Sequence, residues 1–201
     1  GFLLSPRDLS SLDYISSILS SGVDSLKIEG RLKTPEYVAI VTKLYRKYID
    51  LALRNTDYIV SENDKKDLLQ VFNRGGFSSG HLLIEENKNL VFSEKSNNIG
   101  LYLGNISNYN KDKGYINLKL NEPIGVGDTI SVEGESKKYT ISELIINNQN
   151  CKYGNLKDKV KLGRIKGNIQ IGAKVYKMSS KHLNDDAKST YSENSNLKRI
   201  P

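Results

Sequence analysis

The period of the apolar residues changes once along this chain, near Asn98, and no other feature restricts its folding as strongly. Before that point short apolar runs alternate with stretches at helical spacing. After it, brief alternating runs are separated by Gly, Asn and Asp. A helix repeats its apolar positions every 3.6 residues and a strand every two, so one segment cannot satisfy both. The first part is therefore predicted to layer strands against helices, and the second to form a small antiparallel barrel.

Within the first part, Gly1-Phe2-Leu3-Leu4 reads as a buried strand stopped at Pro6. Leu12, Ile15, Ile18 and Leu19 predict a helix over 11–21, with Gly22 as its stop. The stretch Ser25 to Arg31 reads as a strand whose alternation puts Leu26 and Ile28 on one face and Lys27, Glu29 and Arg31 on the other. Thr34 then caps a helix beginning at Pro35, with an apolar stripe of Tyr37, Val41, Leu44, Tyr48 and Leu51. Two strand–helix units are too few to close a sheet, so the chain is expected to belong to something longer. A further helix is predicted over 61–72, capped by Ser61. The run Asn73 to Gly80 breaks regular structure; its paired glycines suit either a tight connector or a loop that approaches a ligand.

In the second part, strands are predicted at 100–106, 115–120, 129–132, 137–141, 160–162 and 174–177, with turns at Gly125-Val126-Gly127-Asp128 and Ile171-Gly172-Ala173. Tyr102, Tyr109, Tyr115, Tyr139, Tyr153 and Tyr176 are interleaved there with Lys111, Lys113, Lys137, Lys138, Lys152, Lys157, Lys159, Lys161, Arg164 and Lys166. Such a mixture can stack bases and neutralise phosphates, or be ordinary strand tyrosine and solvated lysine. The 30 basic against 23 acidic residues, a formal charge of +7, favour an acidic partner and nucleic acid first. The abundance of Asn, Lys and Ile also fits an AT-rich genome. A single cysteine, Cys151, excludes an internal disulfide framework. His81 and His182 lie far apart without metal-site spacing, no Gly-x-Ser-x-Gly elbow occurs, and no metal is expected. With no apolar run long enough to span a bilayer, the chain reads as soluble and cytoplasmic, with no membrane partner.

Several blocks taken together in order carry a resemblance. Leu4-Ser5-Pro6-Arg7-Asp8-Leu9, Gly22 to Arg31, Tyr37-Val38, Tyr45-Arg46-Lys47 and Phe72-Asn73-Arg74-Gly75-Gly76-Phe77 closely resemble the U32 peptidase family. The resemblance implies an α+β fragment: the last βα units of a TIM-type barrel over 1–55 and a helix and connector over 56–96. A small antiparallel β-barrel like the second domain of translation elongation factors would follow over 97–180, and a polar linker over 181–201. It implies a parent that hydroxylates transfer or ribosomal RNA, or quinone precursors. The family name implies collagenase-like proteolysis instead, and a non-catalytic binding module is a third reading.

In TIM barrels reactive groups gather at the C-terminal ends of strands. There Lys27, Glu29 and Arg31 would be catalytic, Arg31 clamping a carboxylate or phosphate, Lys27 adding charge and Glu29 orienting them or acting as base. Ser5, Arg7, Asp8 and Arg74 would bind substrate. The competing reading makes Lys27 and Glu29 an internal ion pair that only fills the barrel. The family's cysteine-containing signature is absent here, and Cys151 does not match it. No cofactor is therefore expected in this stretch, while the parent would use an iron–sulfur cluster and prephenate. The expected partners are RNA and the remainder of the parent chain, and the stretch alone is expected to be inert.

Overall fold

The computed structural model of the chain describes residues 8–54, 57–73, 75–78 and 98–192. The chain forms two units: Ile99–His182 is one, and the described residues before it together with those from Leu183 onward form the other.

In the first unit, β1 (Asp8–Leu9) pairs in parallel with β2 (Phe77–Ser78), Asp8 opposite Phe77. Between them run α1 (Ile15–Ser20), entered through a short 3-10 turn, α2 (Pro35–Leu53) and α3 (Glu62–Val71). The caps arise where the sequence places them. Thr34 Oγ1 accepts the Tyr37 N–H at 3.3 Å with Pro35 in the first helical position, and Ser61 Oγ accepts the Asp64 N–H at 3.1 Å. Leu12, Ile15, Ile40, Val41, Leu44, Tyr48, Val60 and Leu68 form the core.

One polar group completes that core. The Tyr48 ring is buried, its hydroxyl donates to the Asp64 carboxylate and accepts the Ser61 N–H at 3.0 Å, and the Lys47 ammonium also reaches Asp64. Burial alone would raise the Asp64 pKa, but the bonds from Lys47, Tyr48 and Ser61 outweigh it and hold it below 3.8. A depressed carboxylate contributes stability that is present above its unfolded value and lost as pH falls through its folded one. Asp64→Asn is therefore expected to cost about 1–3 kcal/mol at neutral pH. The difference from the native chain should shrink to nothing as pH drops below 3.8, as urea unfolding at several pH values would show.

The strand expected over 25–31 does not form: residues 23–30 carry no regular element. The alternation survives, since Leu26 and Ile28 pack on the core while Lys27 and Glu29 point to solvent. Alternation sets which side chains turn inward, but a strand also needs a neighbour for its ladder bonds, and among the described residues 23–30 has none. The expected strand over 1–4 lies outside the described residues.

The second unit is antiparallel. Its strands are β3 (Leu101–Asn110), β4 (Tyr115–Lys119), β5 (Ile124–Gly125), β6 (Thr129–Val132), β7 (Lys138–Thr140), β8 (Leu144–Ile146), β9 (Gln149–Asn150), β10 (Tyr153–Gly154), β11 (Lys159–Leu162) and β12 (Lys174–Ser179). Eight of them make a half-barrel sheet in the order β7-β6-β12-β3-β4-β11-β8-β9, and β5 pairs with β10 separately. Alternate residues turn inward, giving a core that includes Leu103, Ile106, Ile116, Leu118, Ile130, Val132, Val160, Leu162 and Val175. Bulges between Ile106 and Asn108 and between Val175 and Tyr176 curl the sheet. The β8–β9 hairpin turns on Asn147 and Asn148, both in the left-handed region at φ 50° and 62°, as a two-residue type I′ turn requires.

Asp128 anchors the far end of this unit. Its carboxylate is buried, accepts the N–H groups of Gly125 at 2.9 Å and Lys181 at 2.8 Å, and pairs with the Lys177 ammonium at 3.1 Å. Lys181 opens α4 (Lys181–Ser189), where the sequence predicted only a polar linker. Ala187 of α4 is buried in the first unit's core and Leu183 packs beside it. Two apolar residues four apart complete a helical face but give too weak a period to be read from sequence.

Candidate functional site

The first unit gathers the motif blocks. Lys33, two residues beyond the 22–31 segment, holds its ammonium 2.8 Å from the Phe72 ring centroid, and Tyr37 of α2 meets Phe72 edge to face at 6.4 Å. Asn73 Oδ1 accepts the Gly76 N–H at 2.8 Å, and Gly75 and Gly76 have φ of 80° and 93°. That side-chain bond ties Gly76 back to Asn73, a common use of Asn in turns. The Tyr45 hydroxyl accepts the Ser11 N–H at 3.0 Å, tying α2 to the segment after β1.

Of the residues singled out from sequence, Asp8 lies on β1, half-buried beside β2. Lys27 and Glu29 form a 2.7 Å ion pair at 85% and 72% side-chain exposure, and Arg31 stands exposed in the following turn. That pair lies at the surface of the described residues. Ser5, Arg7, Arg74 and His81 lie outside the described residues.

The second unit carries a different arrangement. Across the β4–β11 ladder Lys119 stands directly opposite Lys159, and Lys161 opposite Asn117. These residues line an open groove of about 570 Å³, completed by Tyr102, Asn105, Ser107, Asn121 and the hairpin tip Asn147-Asn148, with no acidic residue in its wall among the described residues. None of the three lysines forms a salt bridge among the described residues. Like charges directly opposite on a ladder repel, so the face is poised for an anion. Lys161 also lies 5.8 Å from the Tyr115 ring centroid.

The six tyrosines divide. Tyr115 donates to Glu143 at 2.7 Å, and that bond raises its pKa. Tyr139 is buried, bonded to Glu135 at 2.8 Å, and its pKa is raised by burial first and that carboxylate second. Tyr109 bonds the Gly167 carbonyl at 3.2 Å. Tyr153 is exposed outside the groove. Tyr102, inside it, donates to Asn105 Oδ1 at 2.7 Å and meets Tyr176 edge on at 5.9 Å. Sequence reasoning missed Lys119 and the asparagines. Their signal is the matched alternation of Asn117-Leu118-Lys119-Leu120 and Lys159-Val160-Lys161-Leu162, legible only once the two are known to pair.

An iron–sulfur cluster takes several thiolates, and this chain's one cysteine does not fit such a group. Cys151 bonds the Gln149 carbonyl at 3.6 Å. Among the described residues no three His, Cys, Asp or Glu side chains are placed to hold a metal ion, and no helix is long and apolar enough to cross a membrane.

The model of the family described as Peptidase family U32 matches residues 1–91, and over that stretch the chain belongs to this family. It is 35% identical over 67% of its length to an uncharacterized protease of Methanocaldococcus jannaschii. It is 30% identical over 66% of its length to tRNA hydroxylation protein P1 of Bacillus subtilis, and 36% identical over 41% to a collagenase of Porphyromonas gingivalis. The chain spans 34%, 32% and 20% of those relatives respectively.

Proposed function

We propose that this chain works within a U32 protein that hydroxylates transfer or ribosomal RNA, its second unit holding the substrate RNA and its first belonging to the catalytic body. The observation that carries this reading is the lysine ladder. Three ammonium groups on one face, two of them directly opposed and none paired with a carboxylate among the described residues, suit a phosphate backbone. A relative named for tRNA hydroxylation supports RNA as the substrate class. The half-barrel would then serve as elongation factors use their second domain, and the parallel β1–β2 pair with its helices would be the end of a TIM-type barrel. A family cluster and prephenate would be bound by residues outside this chain, which alone would be inert.

The RNA reading is tested by titrating the chain with transfer RNA at rising salt. Affinity that falls steeply with salt is expected, and salt-independent binding would remove the phosphate contacts from the argument. Mass spectrometry of RNA from cells lacking the whole protein should show a missing hydroxyl.

In that whole protein, Lys27, Glu29 and Arg31 would act at the reaction site, with Ser5, Arg7, Asp8 and Arg74 binding substrate. The outward face of the Lys27 segment supports this, because exposed side chains are free to meet a reactant. Glu29→Gln or Arg31→Ala is expected to abolish activity and leave the thermal midpoint within about 1 °C, since exposed ion pairs hold little stability. Loss of folding in both variants would make these residues structural. Relatives named protease and collagenase favour a second reading, peptide hydrolysis. Digestion of denatured collagen by the whole protein, lost in the same two variants, would establish it.

A further inference from the structure

We propose that the groove between β3, β4, β11 and the β8–β9 hairpin takes an unpaired stretch of RNA in preference to a duplex, an inference that rests on the RNA reading above. Lysines alone would not discriminate, because both forms present phosphates. The rest of the wall does. The side-chain amides of Asn117, Asn121, Asn147 and Asn148 line the groove and make no hydrogen bond among the described residues. Each amide offers a donor and an acceptor, the complement that the edges of an unstacked base present. In an A-form duplex the Watson–Crick edges are paired and the major groove is too deep and narrow for side chains, which leaves the amides only the 2′-hydroxyls and base edges of the shallow minor groove.

Tyr102 supplies the second independent feature. It lines the same groove, and 42% of its surface remains exposed. Its hydroxyl bond to Asn105 and its edge contact with Tyr176 fix the ring before any ligand arrives. A ring held in this way stacks on a splayed base at little cost in ordering. Tyr102 is the one tyrosine in the groove wall among the described residues, so one base on Tyr102 and phosphates on Lys119, Lys159 and Lys161 describe a short single-stranded footprint.

The test titrates the full chain with a labelled unstructured RNA of about 12 nucleotides and with an RNA duplex of the same length. The single strand is expected to bind about tenfold tighter at ~0.1 M salt. Tyr102→Ala is expected to weaken single-strand binding by about five- to a hundredfold and leave duplex binding unchanged. Tyr102→Phe keeps the ring and should retain most of the native preference, which separates stacking from a folding defect. Equal or tighter duplex binding by the native chain, or an alanine variant that binds the single strand undiminished, overturns the single-strand assignment while RNA binding stands. Failure of the native chain to bind either RNA at low salt overturns both.

Discussion

Asp128→Ala is expected to lower the stability of the second unit by about 2–4 kcal/mol, because it removes a buried carboxylate that accepts two backbone N–H groups and pairs with Lys177. Lys177 and Asp128 have side-chain exposures of only 13% and 5%. The Lys177 ammonium also donates to the Pro123 carbonyl at 3.0 Å. The N–H groups of Gly125 and Lys181 would lose their acceptor at the same time. The second of these opens α4, so helix content at residues 181–189 should fall with global stability. Replacing Lys177 by Met in the alanine background tests how much of the loss runs through that ammonium. Urea unfolding of the four proteins of this cycle measures it. An alanine variant within 1 kcal/mol of the native chain would show that Asp128 does not anchor this unit.

The second large effect concerns RNA. Converting Lys119, Lys159 and Lys161 together to Gln should reduce affinity for single-stranded RNA at low salt by about a hundredfold or more. The slope of log affinity against log salt should fall by roughly 2, since each phosphate contact to a single strand contributes about 0.7. The same change removes the repulsion between Lys119 and Lys159, so stability should hold or rise slightly at low salt. A variant that folds at least as well and binds far less cannot be explained by lost structure. Unchanged slope and affinity would place the phosphates elsewhere on the chain, and the lysine ladder would be an ordinary solvated face.

Much of the local structure was legible in advance because its causes are local. Thr34 before Pro35 sets the start of α2, Ser61 sets the start of α3, and alternation in Tyr115 to Leu120 and Lys159 to Leu162 sets which residues of β4 and β11 are buried. The short strands β5, β8, β9 and β10 were not legible, since two or three residues carry no measurable period. Helix α4 escaped for the same reason: Leu183 and Ala187 are its only contributions to the core. The Lys27 segment erred in the other direction. Its alternation was read correctly, but the ladder that would make it a strand depends on a neighbour no local pattern names.

The candidate sites divide along the same line. The U32 blocks lie in order in the sequence and were recognisable there, because their spacing is a linear property. The groove was not, since Lys119 and Lys159 are far apart in the chain and meet only through the β4–β11 register. The sequence by itself determined caps, turns, inward faces and family membership, all products of interactions spanning a few residues. Tertiary structure alone decided that two lysines oppose each other, that Tyr102 shares their groove, and that Asp128 meets Lys177. Those outcomes depend on which distant strands pair and in what register, and chain energetics settle that only when the whole sheet forms.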